Sequence, residues 1–292
     1  MLRFNTSRLS VKLTVPLLLT IPVLIVVVIL STVAYRHCRA TAADLASQNL
    51  DRIHVEISRH MDWMLDVPRQ INHVNEGLIR DGMLDPADLW SWRDIYFHEA
   101  QAFDTVSAIV WGSQAGETVW VARYAGDDHL TFTVKDESTD GQAVDYRMGP
   151  DGQIGPSPKA SYPFDPRVRP WYVAPMVAGE ASWSVPYGWI DEDGGSESGT
   201  LGIGYGMPYR NAEGQIIGVV NVDLSLQDIS QFLEQLSISQ NGLVFVMDLD
   251  GLMIANSCAA PVVGSDSKQV AALSLSDPHV ASATAHLTES FS

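Results

Sequence analysis

Residues 201–225, LGIGYGMPYRNAEGQIIGVVNVDLS, contain two runs of β-forming side chains on either side of a short turn. The runs Leu201–Tyr209 and Ile216–Leu224 predict strands, and Asn211–Gly214 between them is typical of a hairpin connection. The alternating glycines of the first run resemble a phosphate-binding loop, but no βαβ unit surrounds them. The stretch therefore predicts an antiparallel pair whose first strand packs closely against its neighbours.

The chain upstream of this hairpin predicts a helix followed by further strands. Residues 40–80 lack loop punctuation until Pro68, and their apolar side chains recur at helical spacing. The β-forming runs 106–111, 118–124 and 130–134 are joined by glycine-rich turns, which predicts an antiparallel meander. A further strand is predicted over 181–189. Helices that precede hairpin-linked strands indicate an α+β fold with an antiparallel sheet.

A second cycle of helix and strands follows the hairpin. Residues 229–236 have a helical pattern, and the runs 243–249 and 252–256 are joined by the turn Asp250-Gly251. The last stretch, 265–292, is rich in Ala and Ser and shows no closing strand. We therefore predict that residues 226–292 form a linking helix and part of a second module.

The N-terminal region carries a long uncharged run. Residues 13–35 hold no charged side chain over 23 residues, enough for a helix to cross a bilayer core of about 30 Å. A cleaved signal peptide is the alternative, but the run continues into Tyr35 and Arg36 without a small-residue site. We predict a cytoplasmic N-terminus over 1–12, a membrane span over 13–35 and everything from 36 onward outside.

The charge and the motif content exclude several functions. The chain has 18 Lys and Arg against 35 Asp and Glu, a net charge of −17, which would repel nucleic acid. It carries no nucleophile elbow, zinc-protease or Walker motif, so no catalytic residue is assigned. His54 and His60 have the wrong spacing for a metal pair, and Asp248–Gly251 lacks the later ligands of a calcium loop. We expect no metal and no cofactor.

Residues 164–189, FDPRVRPWYVAPMVAGEASWSVPYGW, concentrate arginines and large aromatic side chains. Pro170 suits the first position of a short helix over 171–174, and Pro175 is expected to end it. Arg167 and Arg169 should point differently, so that one makes an ion pair and the other can bind a carboxylate. The alternative is that both arginines hold the loop and the aromatic residues are ordinary core.

This stretch and the hairpin after it resemble the double Cache (PAS-like) extracellular sensor family of bacterial transmembrane receptors. That family's motif runs approximately Y-D-P-R-x-R-P-W-Y, then W-x-x-P-Y, then G-V-V-G-V-D-I-S, and the likeness extends over about residues 36–292. The resemblance implies a long juxtamembrane helix over 36–80, a membrane-distal module over 81–225 and a partial membrane-proximal module over 226–292.

The resemblance also implies a ligand site. Family members that bind amino acids hold the carboxylate with an arginine and a Trp-Tyr pair, and the amine with a later tyrosine and an aspartate. The matching ligand-binding positions are Arg169, Trp171, Tyr172, Tyr187 and Asp223, and Phe164 and Trp183 are possible pocket residues. Phe164 stands where the family has tyrosine, which removes a hydroxyl from the carboxylate side.

The function expected from these observations is the sensing of a small extracellular molecule, an amino acid or a related carboxylate or amine, by a membrane-anchored receptor. The expected partners are that ligand, the lipid bilayer and a second copy of the chain. One alternative is a membrane-tethered binding or scaffolding protein; a secreted hydrolase is disfavoured by the missing motifs. The sensor region of a nucleotide cyclase or histidine kinase is another, since the output part would lie beyond residue 292.

Overall fold

The computed structural model describes residues 11–124, 128–190, 197–236, 242–258, 262–264, 268–275 and 277–291. The chain divides into two compact units, residues 1–56 and residues 57–292. The first described helix, α1 (Val11–Arg80), passes through both. Its N-terminal part, from Leu18, is exposed, apolar and long enough to cross a membrane.

The remaining elements belong to the second unit, in which five helices including the end of α1 accompany eleven strands among the described residues. The further helices are α2 (Trp92–Ala102), α3 (Pro170–Ala178), α4 (Leu226–Gln235) and α5 (Pro278–Phe291). The strands are β1 (Ala108–Ser113), β2 (Thr118–Arg123), β3 (Leu130–Lys135), β4 (Ala143–Arg147), β5 (Ala160–Tyr162), β6 (Ser182–Trp183), β7 (Tyr187–Ile190), β8 (Glu197–Arg210), β9 (Ile216–Ser225), β10 (Phe245–Met247) and β11 (Met253–Asn256).

Nine of these strands form one antiparallel sheet in the order β5-β4-β3-β2-β1-β9-β8-β6, and β7 also pairs with β8. The meander β1-β2-β3 and the hairpin β8-β9 are therefore confirmed, and so is the α+β class. The last two strands, β10 and β11, pair separately. Strand β9 ends at Ser225 and α4 begins at Leu226, where the sequence predicts a change of module; the division into modules stays a prediction.

Side chains of the central strands alternate between two apolar cores. Ile109 and Trp111 of β1 face a core that also contains Ile71 of α1 and Trp92 of α2, whereas Val110 faces a core with residues of α3 and β7. Both faces of the sheet are thus covered, and the residues predicted to bind a ligand belong to the second face.

Helix α1 is also held on the sheet by a polar contact. Asn72 has no exposed surface, and its Nδ2 donates a 2.6 Å hydrogen bond to the backbone carbonyl of Tyr205 in β8. This bond joins the helix to the backbone of a defined strand residue, so it fixes the position of the helix along the strand.

Two local predictions are wrong. The helix that was expected to end at Pro175 continues to Ala178 and is closed by Gly179 in the left-handed region, at φ 72°. Pro175 cannot donate a hydrogen bond to the Trp171 carbonyl, and that carbonyl lies against Gly206 instead. The single strand expected over 181–189 is two strands, β6 and β7, because Pro186 between them lacks an N–H for pairing.

Several other elements were not predicted from the sequence. The short strands β4 and β5 were missed, and the C-terminal stretch contains helix α5. Strand β4 has Asp145 at its centre, a residue type that is depleted in strands. Asp145 is fully buried there, where it accepts hydrogen bonds from Thr133 (2.6 Å) and Tyr162 (3.0 Å).

The alternating glycines of β8 are packing positions, as the sequence predicts. A Cβ at Gly202 would lie 2.3 Å from the indole nitrogen of Trp189, and one at Gly206 would lie 2.5 Å from the Trp171 carbonyl oxygen. No side chain fits in that space. Strand β8 therefore lies with its bare backbone against the elements that cover this face of the sheet.

Candidate functional site

A cavity of about 60 Å³ opens on the second face of the sheet, enough for about four water molecules. The strands β1, β2, β7 and β9 and the loop before α3 surround it. Its lining residues are Ala108, Val110, Trp120, Ala122, Tyr124, Phe164, Arg169, Trp171, Tyr187, Trp189, Ile190 and Asp223. Among these described residues there is one cation and one carboxylate, and half of the side chains are aromatic.

The two arginines of the loop have different surroundings. Arg167 is exposed and pairs with Asp165 at 2.8 Å, and its hydrogen bond lowers the pKa of that carboxyl to about 2. Arg169 turns to the cavity, where its Nη2 donates a 2.6 Å hydrogen bond to the Gly188 carbonyl and its guanidinium lies 5.4 Å from the ring centroid of Tyr187. These contacts fix the guanidinium and leave other N–H groups for a ligand carboxylate.

Asp223 is the carboxylate among the described residues that line the cavity. It lies on β9, is 5% exposed, and its Oδ1 accepts hydrogen bonds from the Tyr187 hydroxyl (2.7 Å) and from Asn221 Nδ2 (2.8 Å). Its Oδ2 makes no hydrogen bond to the part of the chain that the structure describes. That oxygen is therefore available to a cationic group in the cavity.

Burial dominates the titration of this carboxyl. It raises the pKa of Asp223 to about 6, and the hydrogen bonds from Asn221 and Tyr187 and the charge of Arg169 oppose the rise. Burial and the neighbouring Asp223 raise the pKa of Tyr187 well above its usual range, so its hydroxyl stays a donor. The cavity thus presents a guanidinium and a carboxylate that titrates close to neutral pH.

The structure brings most of the predicted site residues together. Arg169, Trp171, Tyr187 and Asp223 line one cavity although 54 positions separate the first from the last, and Phe164 lines it as well. Their role in binding a ligand stays a prediction. Tyr172 and Trp183 do not belong to the lining.

Tyr172 and Trp183 have packing roles. The ring of Tyr172 lies 5.7 Å from that of Trp171 and close to Gly112, and Trp183 packs against Tyr205 at 5.1 Å between ring centroids. Both residues support the elements around the cavity and do not contact its interior.

Sequence reasoning missed the aromatic and small residues contributed by β1, β2 and β7. Trp120 and Ala122 alternate with core residues on β2, and Trp189 follows Tyr187 by two positions on β7. The two-residue spacing from Tyr187 was a usable signal for Trp189, because alternate residues of a strand face the same side. For Trp120 no such signal exists without the pairing of β1 with β2 and β9.

Similarity to known proteins is confined to part of the sequence. No family model matches the chain. Over 108 residues, or 36% of the chain, it is 33% identical to the methyl-accepting chemotaxis protein PctB of Pseudomonas aeruginosa and 29% identical to the methyl-accepting chemotaxis protein McpA of Pseudomonas putida. The matched part makes up 16% of the length of each relative.

Among solved structures, the sensory domain of the Campylobacter jejuni chemoreceptor Tlp3 with isoleucine bound matches 76% of this chain and 76% of its own, at 13% identity and a TM-score of 0.49. The two sequence relatives are methyl-accepting chemotaxis proteins, so the predicted resemblance of this chain to bacterial signalling receptors is confirmed.

Proposed function

We propose that this chain is the ligand-binding sensor region of a membrane-anchored signalling receptor. The residues around the cavity bind a small molecule that carries a carboxylate and a cationic nitrogen, and this region performs no catalysis. The observation that carries the proposal is the placement of Arg169 and Asp223 in one cavity, with Tyr187 in contact with both.

The chemistry of the cavity supports this function. A zwitterion loses its hydration when it is buried, and that cost is offset only if each of its charges meets a partner. Arg169 offers a fixed guanidinium, and Asp223 offers a carboxylate oxygen that has no hydrogen bond within the described residues. A neutral ligand of the same shape would leave both charges unpaired.

The proposed topology is that of a receptor with its sensor outside the cell. Residues 13–35 would span the membrane, residues 1–12 would lie in the cytoplasm, and the sheet would lie on the outer side. The uncharged segment of α1 and the similarity to chemotaxis receptors support this arrangement. We further propose that the exposed part of α1 outside the bilayer pairs with that of a second copy.

The binding proposal is tested by thermal unfolding of the full chain in lipid nanodiscs, with a panel of L-amino acids and N-methylated glycines as probes. A probe at about 100 times its dissociation constant should stabilise the fold by about 2.7 kcal/mol, which raises the melting temperature by about 5–10 °C. Asp223→Asn and Arg169→Gln should abolish the rise, because each leaves one ligand charge unpaired.

Arg167→Lys is the matched control, since Arg167 lies two residues away but pairs with Asp165 on the surface. It should keep the full response. A ligand-induced rise that survives in both Asp223→Asn and Arg169→Gln would refute the assignment of this cavity.

A further inference from the structure

The cavity has an unusual balance between rings and hydrogen-bond acceptors. Six of its twelve lining residues are aromatic: Trp120, Tyr124, Phe164, Trp171, Tyr187 and Trp189. Against these stands one carboxylate among the described lining residues, Asp223. A site with this composition holds a positive charge mainly by ring faces and only secondarily by hydrogen bonds.

The hydrogen-bonding capacity of Asp223 is already half used. Two donors, Tyr187 and Asn221, both point to Oδ1, and Oδ2 is the oxygen left for a ligand. A primary ammonium carries three N–H donors, and each donor left unsatisfied on burial lowers the affinity. A nitrogen that carries methyl groups has fewer donors or none, so it avoids this loss.

One wall of the cavity consists of two aromatic rings that pack against each other. Trp120 and Phe164 form a corner, with centroids 5.0 Å apart and planes inclined by 56°. Phe164 has no hydroxyl to direct at a carboxylate or an amine, so this wall is apolar. One face of Tyr187 is already covered by Arg169, which leaves the Trp120–Phe164 corner and the two other indoles for the ligand.

The size of the cavity sets the second limit. About 60 Å³ suits a compact molecule. The ligand carboxylate would meet Arg169, and the nitrogen with its methyl groups would lie between Asp223 and the rings.

We propose that the cavity selects a small carboxylate whose cationic nitrogen is N-methylated, and that affinity rises with the number of methyl groups. This inference rests on the proposed function, since it names the ligand class of the same site. Methyl groups spread the positive charge over a surface that ring faces can contact, which a compact, strongly hydrated ammonium does less well.

The experiment is a calorimetric titration of the full chain in nanodiscs with glycine, N-methylglycine, N,N-dimethylglycine and N,N,N-trimethylglycine. We expect the dissociation constant to fall along the series, by at least about tenfold from the first member to the last. The analogue 3,3-dimethylbutanoate has the same shape as the last member and keeps its carboxylate, but has carbon in place of the cationic nitrogen. It should bind at least about tenfold more weakly than trimethylglycine.

Variants at the ring corner provide the matched comparison. Phe164→Leu keeps an apolar side chain but removes the ring, and it should weaken trimethylglycine more than glycine. Phe164→Tyr keeps the aromatic ring, so this variant should keep the preference for methylated ligands. Circular dichroism of each variant checks that the fold is unchanged.

The outcomes separate the two proposals. If glycine or another primary amino acid binds more tightly than trimethylglycine, with binding lost in Asp223→Asn, the ligand class is wrong and the site stands. If no member of the series binds, the ligand class is overturned. If the series binds to Asp223→Asn and to Arg169→Gln as tightly as to the unsubstituted chain, the proposed function itself is refuted.

Discussion

The substitution Gly204→Ala adds one methyl group to strand β8. It should lower both the stability of the fold and the affinity of the site for its ligand. The new Cβ would lie 2.5 Å from Asn221 Oδ1, 2.6 Å from Asp223 Oδ1 and 2.8 Å from the Cβ of Trp171. Those distances are far inside van der Waals contact, so one of these groups must move.

The strand cannot easily yield to relieve the clash. The backbone of Gly204 is held on one side by Ser184, whose N–H donates to the Gly204 carbonyl at 2.8 Å and whose hydroxyl accepts from the Gly204 N–H at 3.0 Å. On the other side β8 pairs with β9. The displacement therefore falls on Asn221, Asp223 and Trp171. Asp223 and Trp171 line the cavity, and Asn221 donates a hydrogen bond to Asp223.

Overpacking of this kind costs about 1–3 kcal/mol. For a unit of this size that lowers the melting temperature by about 2–12 °C, and the displaced Asp223 should weaken ligand binding by at least about tenfold. Thermal unfolding and titration with the tightest probe measure the two effects.

Gly155→Ala is the control for the loss of glycine itself. A Cβ at Gly155 would meet only the backbone oxygens of Arg147 and Ser157, both at the ordinary contact distance of 3.9 Å. It should leave melting and binding nearly unchanged. If Gly204→Ala melts and binds like Gly155→Ala, the close packing argued for β8 is incorrect.

Two further predictions concern buried polar groups outside the cavity. Burial raises the pKa of Glu99 to about 7 from 4.5, so the folded state keeps a proton that the unfolded state releases, and stability should fall by up to about 3 kcal/mol as the pH rises from about 4.5 to 7. Glu99→Gln should remove that part of the decline in urea unfolding at pH 5 and 7.5; an unchanged pH slope would contradict the reasoning. Thr133→Val removes the donor at 2.6 Å from the buried Asp145 and should cost about 1.5–3 kcal/mol in the same assay, whereas a cost below about 0.5 kcal/mol would show that the contact is unimportant.

The sequence was sufficient for the elements whose patterns are local. The hairpin β8-β9 and the meander β1-β3 follow from alternating side chains and turn residues, and both form as predicted. The prediction that Pro175 ends the helix is wrong because a proline is tolerated where another part of the chain accommodates the carbonyl that loses its hydrogen bond. Here the Trp171 carbonyl lies against Gly206, which is 31 residues after Pro175 in the chain.

The candidate site was less accessible from the sequence. Only the family resemblance identifies Arg169 and Asp223 as site residues, because nothing in their spacing places them near each other. Their approach depends on β9 lying beside both β1 and β8, a non-local pairing. Trp120 reaches the same cavity through that pairing, so its position could not be derived from residues near it in the chain.

The bare backbone of β8 has a mechanical consequence. Gly202 places no side chain between the strand and the indole of Trp189, and Gly204 places none between the strand and the Cβ of Trp171, so both tryptophans pack directly on the main chain. Glycine has no side chain whose rotation could absorb a shift, so a movement of this strand would displace the backbone on which both tryptophans pack. Asn72 of α1 donates a hydrogen bond to the same strand, at the carbonyl of Tyr205. The packing of the two cavity tryptophans and the position of α1 along the strand therefore depend on the same backbone segment, residues 202–205 of β8.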